Sequence, residues 1–160
     1  MGAMADVSLR AVIPEDLDVF FANQLDPEAS RMAAFIGRDP TDRAAFDKHW
    51  ARILADPEIT NRTIVSDGRV VGSIGHFPLD GKPNVTYWIG KPHWGRGYAT
   101  AALKALLNEL PQRPLYASCA FDNLGSRRVL ERCGFVEVGR DRGFANGRGE
   151  EIEEVLFILE

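Results

Sequence analysis

The amino-acid sequence predicts one α/β domain of the α+β type, a mixed and mostly antiparallel sheet flanked by helices. Three observations carry the prediction. Strand-like runs follow one another closely from residue 62 to residue 89, the mark of an antiparallel meander. Helical patterns lie on either side of that meander in the chain. One of them, at residues 99–110, stands between two strand-like runs, and such a crossover brings those strands together in parallel. At 160 residues the chain has the size of one ordinary domain, long enough to bury a core. The domain is expected to span residues 5–160, and Met1-Gly2-Ala3-Met4 reads as a cloning remnant ahead of a native start at Met4.

Leu9–Ile13 opens as a short strand. Pro14-Glu15-Asp16 then starts a helix, because proline suits a first helical turn and acids favour its positive end. Leu17, Val19, Phe20 and Phe21 supply its apolar positions. Asp26-Pro27 breaks the pattern, and a polar, less regular stretch is expected up to Asp39-Pro40. A second helix follows from about Thr41, with Phe46, Trp50, Ile53 and Leu54 on one face and Asp56-Pro57 at its end. Arg62–Val65 and Val70–Phe77 flank Asp67-Gly68, a hairpin signal, and Asn84–Ile89 is the third strand of the meander. The next helix carries Ala99, Leu103, Leu106, Leu107 and Leu110 on one stripe, with Lys104 and Asn108 opposite; Pro111 and Pro114 stop it. Leu115–Ala120 is a strand. Asn123 caps a helix that runs to Cys133, with Gly134 in the left-handed position beyond it and Phe135 folding back onto Val129 or Leu130. Val136–Gly139 and Ile152–Leu159 are the last strands, separated by a charged, Gly-rich loop at residues 141–150.

Composition narrows the function. Its 45% hydrophobic and 26% charged residues are those of a globular protein. The net charge of −4 comes without any run of Lys or Arg, so no nucleic-acid partner is expected, and the acidity mildly favours cationic substrates. No apolar stretch approaches the roughly 20 residues that span a bilayer, and the N-terminus lacks the regions of a signal peptide. The two cysteines, Cys119 and Cys133, make no disulfide framework. A reduced, cytoplasmic setting without membrane contact fits best. Histidines and cysteines this scattered give no ligand spacing, so no metal is expected.

Gly95-Arg96-Gly97-Tyr98-Ala99-Thr100 carries the functional signal. Two glycines separated by one residue let the backbone turn sharply and aim its N–H groups at a ligand. The helix that follows adds a positive dipole end and unpaired donors. Ala99 keeps the helix start small, Thr100 adds a hydroxyl and Arg96 a cation. This is chemistry suited to a diphosphate. The spacing of the P-loop fails, because no Gly-Lys-Ser/Thr is present. The dinucleotide fingerprint fails too, since Thr100 stands where its third glycine belongs. A lone Gly-x-Gly is also compatible with a purely structural strand-to-helix turn.

The wider motif is more specific. Trp94-Gly95-Arg96-Gly97-Tyr98-Ala99 resembles the acetyl-CoA signature of the GNAT superfamily of N-acetyltransferases, Gln/Arg-x-x-Gly-x-Gly/Ala. The match lies at Gly97 and Ala99, with Trp94 replacing the usual Gln/Arg. The form Trp-Gly-Arg-Gly-Tyr-Ala-Thr is similar to the branch that includes the ribosomal-protein-alanine N-acetyltransferases. A second block, Asp122 to Phe135, resembles that branch's Asn-x-x-Ser-x-Arg-x-x-Glu-x-x-Gly-Phe segment. Tyr87-Trp88-Ile89 is a third, weaker likeness to the strand before the loop. With Leu9-Arg10 and Glu15-Asp16 the resemblance spans nearly the whole chain.

What the resemblance implies is a GNAT-like domain that transfers an acetyl group from acetyl-CoA, its cosubstrate, to a primary amine by direct attack. The backbone of Trp88 and Ile89 is then expected to bind the pantetheine arm and the acetyl carbonyl. Backbone N–H groups of Gly95, Arg96, Gly97, Tyr98, Ala99 and Thr100 would hold the pyrophosphate, and Asn123 would contact the pantetheine arm. In that branch a serine at the position of Ser126 lies near the cofactor sulfur and is the proposed general acid. Two departures stand out. Leu130 replaces the tyrosine that many members use as an acid, and Asn84 replaces the glutamate that often precedes the Tyr-Trp pair. His76 is left as the candidate base, because histidine titrates near neutral pH; water leading to bulk is the alternative. His49 lies on a helix flank and His93 beside the loop mouth. Phe35, Phe46 and Trp50 read as core, although the N-terminal helices of this fold commonly line the acceptor groove, which brings Met32 to Phe35 within reach of substrate. The acceptor stays open among a protein N-terminus, a polyamine, an aminoglycoside and a small amine metabolite. The protein is a monomer or a homodimer. A non-catalytic acyl-CoA-binding or sensor module of the same fold is the competing function.

Overall fold

In the computed structural model, which describes residues 5–160, seven strands form one sheet in the order β1-β2-β3-β4-β5-β7-β6. They are β1 (Ser8–Arg10), β2 (Thr60–Ser66), β3 (Arg69–Leu79), β4 (Lys82–Ile89), β5 (Leu115–Ala120), β6 (Val136–Ala145) and β7 (Glu150–Leu159). The helices are α1 (Pro14–Leu25), α2 (Pro27–Ala33), α3 (Arg43–Ala55), α4 (Tyr98–Glu109) and α5 (Leu124–Arg132). The expectation for Met1–Met4 falls outside the described residues. Every pairing is antiparallel except β4 with β5, the one parallel contact that the crossover through α4 requires.

Side chains facing each other across a ladder point the same way. The rows Ile64–Gly72–Ile89 and Arg62–Ile74–Tyr87 therefore share one side of the sheet. There α4 buries Leu103 and Leu106 completely against Ile64, Ile74 and Val85, roughly 2 kcal/mol of transfer free energy for each leucine. The rows Thr63–Ser73–Trp88 and Asn61–Gly75–Thr86 face the other side, where Asp16 of α1 accepts the Thr63 hydroxyl at 2.6 Å. The apolar stripe read from residues 99–110 is thus the one that builds the core.

Three elements differ from the sequence expectation. The first strand is Ser8–Arg10, not Leu9–Ile13, because the Ile13 N–H is drawn to the Asp16 carboxylate at 3.0 Å and begins α1. The stretch after Asp26-Pro27 is a helix: Asp26 accepts the Ala29 N–H at 3.0 Å as its cap and Pro27 fills its first turn. The same dipeptide that ends α1 starts α2. The charged loop at 141–150 is mostly hairpin, with Arg142 opposite Glu153 and Phe144 opposite Glu151. β6 is an edge strand, so its charged and glycine residues show no apolar period while its backbone is still paired.

Gly97 is the N-cap of α4 and sits in the left-handed region, at φ 79°. A residue with a Cβ is strained there. The cap provides no side-chain hydrogen bond, so the first N–H groups of α4 keep no side-chain partner. At the other end of the crossover Asn123 caps α5, accepting the Ser126 N–H at 3.2 Å. Phe135 returns its N–H to the Leu130 carbonyl at 3.0 Å and is buried with it, as the Gly134 signal implied.

Candidate active site

β4 and β5 share a single registered pair, Asn84 with Tyr116. Beyond it the parallel strands part toward their carboxyl ends, and a cleft of about 930 Å³ lies between them. Openings at the carboxyl ends of parallel strands are where α/β sheets take ligands. Trp88, Ile89, Gly95, Gly97, Tyr98, Ala99, Thr100, Asn123 and Ser126 all line it. The residues singled out on three separate segments of sequence are therefore brought to one place.

The loop is tied to the strand that precedes it. Trp94 donates its indole N–H to the Ile89 carbonyl at 2.9 Å. Arg96 is exposed and is not part of the cleft's lining. His93 does line it, its pKa lowered by burial and then by the Arg96 charge.

His76 is not brought to the cleft. Its register with Thr60 and Val85 puts it on the α4 side of the sheet, where Nε2 lies 3.2 Å from Gln112 Nε2. Burial lowers its pKa. His76 thus lies beyond the carboxyl end of α4, whereas the glycine loop stands at the amino end of that helix.

Two cleft residues carry chemistry that the sequence did not single out. Tyr87 places its hydroxyl 2.6 Å from Ser126 Oγ, and burial pushes its pKa up. Leu130, at the position where the resemblance leads one to expect a tyrosine, is buried in the core; the phenol near the serine comes from β4 instead. Glu154 of β7 also lines the cleft. Burial raises its pKa, and a hydrogen bond from Ser118 partly opposes the shift. Its register with Ala120 places it on the side opposite Cys119 and Val155, the side where Ala120 packs with Phe35. The Tyr87–Ser126 hydroxyl pair and the Glu154 carboxylate thus line one opening. Cys119 is buried and its pKa pushed up to about 11 by that burial, which leaves it a poor nucleophile.

A second pocket of about 650 Å³ adjoins the cleft, and Phe35, Ile36, Thr86, Tyr87 and Trp88 line both. Phe46 and Trp50 form part of its wall, so two residues read as core also face a cavity. Among the described residues no cluster of three or more His, Cys, Asp or Glu is placed to hold a metal ion, and no helix is long and apolar enough to cross a membrane.

Comparison with known proteins agrees with this geometry. Over 116 residues the chain is 34% identical to YdaF of Bacillus subtilis (strain 168), named as a candidate ribosomal N-acetyltransferase, covering 67% of this chain and 63% of that protein. The chain thus spans just under two thirds of that relative's length. RimJ of Mycobacterium smegmatis, in complex with CoA-disulfide, superposes with a TM-score of 0.82 at 22% identity, over 97% of this chain and 82% of the other. Spermidine N-acetyltransferase of Vibrio cholerae, in complex with CoA and spermine, superposes with a TM-score of 0.77 at 18% identity, over 95% of both chains. The family model "Acetyltransferase (GNAT) domain" matches residues 6–136, which include the parted strands, the glycine loop and the Asn123-capped helix: the chain belongs to the GNAT family of acetyltransferases.

Proposed function

We propose that the protein transfers the acetyl group of acetyl-CoA to a primary amine by direct attack, in the cytoplasm and without a metal. The observation that carries this reading is the cleft itself: parallel strands that part after Asn84 and Tyr116, with the uncapped start of α4 and the Tyr87–Ser126 pair in its walls. The fit of acetyl-CoA is supported by the donors at hand. N–H groups from Gly95 to Thr100 suit its diphosphate, and the backbone of Trp88 and Ile89, on a strand parted from its neighbour, suits the pantetheine arm. Asn123 stands at the same opening.

The amine nitrogen forms a bond to the acetyl carbon, the carbon–sulfur bond breaks, and the amine loses one proton while the thiolate gains one. We assign the first proton to Glu154, on the Phe35 side, and the second to Ser126. A backbone N–H near Ile89 steadies the oxyanion. The acceptor is a small amine or a protein N-terminus; the names of solved neighbours include a spermidine N-acetyltransferase and a ribosomal L7/L12 alpha-N-protein acetyltransferase.

Thiol release from acetyl-CoA across an amine panel, with calorimetric titration of acetyl-CoA, tests the reading. Wild type should bind and turn over at least one amine class. Gly97→Trp should lose at least about tenfold in acetyl-CoA affinity with the fold retained, since a bulky, strained residue then covers the helix start. Unchanged affinity would sink the diphosphate assignment, and binding without turnover on any amine would point to a sensor module.

A further inference from the structure

We propose that the second pocket takes a small primary amine with an apolar or aromatic body that also bears a carbonyl or carboxylate oxygen, recognised by Asn61 and Trp88. This rests on the acetyl-transfer reading above. The pocket adjoins the cleft along Thr86, Tyr87 and Trp88 of β4, so its occupant can present an amine to the opening. Its wall is built of aromatic rings, Phe20 against Trp50 at 5.1 Å and Phe46 against Trp50 at 6.1 Å. A volume of about 650 Å³ is that of a small-molecule site.

The polar groups decide the rest. Asn61 Nδ2 and Trp88 Nε1 are shielded from solvent and have no hydrogen-bond partner among the described residues. Both residues line this pocket, on the same side of the sheet and in adjacent rows. Buried N–H groups are nearly always satisfied, so two orphans in one wall call for a shared cause. Both atoms are donors only, and an acceptor oxygen is what completes them. Arg38, in the same lining, makes no ion pair among the described residues. Asp39 and Asp42 line the same pocket and make no ion pair among the described residues; Asp39 Oδ1 accepts the N–H and hydroxyl of Thr41 at 2.9 and 2.7 Å, and Asp42 Oδ1 accepts the Ala45 N–H at 3.0 Å. The two orphan donors, not the charges around them, are what call for an acceptor oxygen.

Thiol release from acetyl-CoA is measured with five acceptors. Phenylalanine amide and phenylalanine carry amine, ring and oxygen; phenethylamine lacks the oxygen; spermidine and a tripeptide beginning with phenylalanine complete the set. The kcat/KM for phenylalanine or its amide should exceed that for phenethylamine about tenfold, the effect of one or two hydrogen bonds. The ratio should fall to near one in Asn61→Leu and in Trp88→Phe. A preference for phenylalanine that Arg38→Ala removes assigns the oxygen to a carboxylate; a preference for the amide assigns it to a carbonyl. Neither variant should melt below wild type, because removing an unmet donor relieves the free protein. If Asn61→Leu does not fold, Trp88→Phe carries the test. Equal or better turnover of phenethylamine, spermidine or the tripeptide, or a ratio unchanged in both variants, overturns the pocket assignment and leaves acetyl transfer standing. If no amine is turned over, acetyl transfer falls, and calorimetric titration of phenylalanine amide decides the pocket: binding that Asn61→Leu abolishes supports it, and no binding overturns it.

Discussion

Tyr87 Oη lies 2.6 Å from Ser126 Oγ, joining β4 to the first turn of α5 at the edge of the cleft. Burial raises the Tyr87 pKa, so the phenol stays neutral, and either hydroxyl can donate to the other. With Tyr87 as the donor, the serine's own proton is free to turn toward the opening. Tyr87 is then a positioning residue for Ser126. Tyr87→Phe should lower kcat about tenfold and change the KM for acetyl-CoA much less. Ser126→Ala should do the same, and the double variant should be no worse than the poorer single one, since the two act as a unit. Steady-state kinetics of the four proteins decide it; effects that simply multiply would uncouple the pair.

Glu154 is a carboxylate of the cleft lining on the Phe35 side of the sheet, and burial lifts its pKa against the opposing hydrogen bond from Ser118. A base lifted above the ordinary carboxylate value of about 4 works closer to neutral pH. The lower acidic inflection of kcat/KM should therefore disappear in Glu154→Gln and persist in His76→Ala, because His76 lies beside Gln112 on the other side of the sheet. Stability should move in a linked way. A folded pKa raised above the unfolded one gives stability that is present below the unfolded value and lost as pH rises through the folded one. Glu154→Gln should accordingly melt higher than wild type at neutral pH and no higher at pH 4. A profile that keeps its inflection in Glu154→Gln removes this residue from the reaction.

The sheet, the crossover and the glycine loop were legible because each rests on local chemistry. Asp67-Gly68 announces a hairpin, Leu103 and Leu106 announce a buried stripe, and Asn123 with Gly134 marks both ends of α5. The legible part of the site is its backbone part. What could not be read is what depends on register across the sheet. His76 and Phe77 are adjacent in sequence, yet only Phe77 reaches the cleft. Tyr87 and Trp88 form one motif, yet the register turns them to opposite sides. Glu154 comes from a strand inserted between β5 and β6, and no local pattern says which of four nearby glutamates faces inward. An alternation count anchored on buried Val155 narrows the four only to Glu150 and Glu154, the two that face away from it.

Asp16 is a carboxylate buried between α1 and the sheet. It is 2% exposed, and it accepts from Arg10 at 2.7 and 2.9 Å, from the Ile13 N–H at 3.0 Å and from Thr63 at 2.6 Å. Burial alone would raise its pKa; these hydrogen bonds outweigh it and hold the carboxyl below its usual value. A depressed carboxyl pKa contributes stability above the unfolded value of about 3.9 that is lost as pH falls through the folded one. Asp16→Ala should cost about 2–3 kcal/mol, because it strands three donors at once, and should flatten the acid limb of the stability curve below about pH 4. Urea melts at pH 7 and pH 3 check both. Equal loss at the two pH values would deny Asp16 that role.

Arg148 holds the wall that the cleft and the second pocket share. Its side chain is only 6% exposed, grips both Asp122 oxygens at 2.9 and 2.8 Å, and donates Nε–H to the Arg31 carbonyl at 2.6 Å. On the same turn the Gly147 N–H reaches the Ala34 carbonyl and Asn146 reaches the Ile36 carbonyl, each at 2.8 Å. A Cβ at Gly147 would collide with the Ser30 carbonyl, so the turn must be this close to α2. These bonds fix the chain on either side of Phe35, where Ala34 sits at φ 63°, a conformation that needs outside support. Lysine keeps the charge of Arg148 but not the fork. Arg148→Lys should therefore raise the KM for the amine several-fold and lower Tm by a few degrees, the scale of about 1 kcal/mol for a chain of this size, while acetyl-CoA affinity stays near wild type because the Gly95–Thr100 loop is untouched. Titrations of both substrates separate the outcomes: a matching loss for acetyl-CoA would mean that the clamp supports the whole fold and not the Phe35 wall.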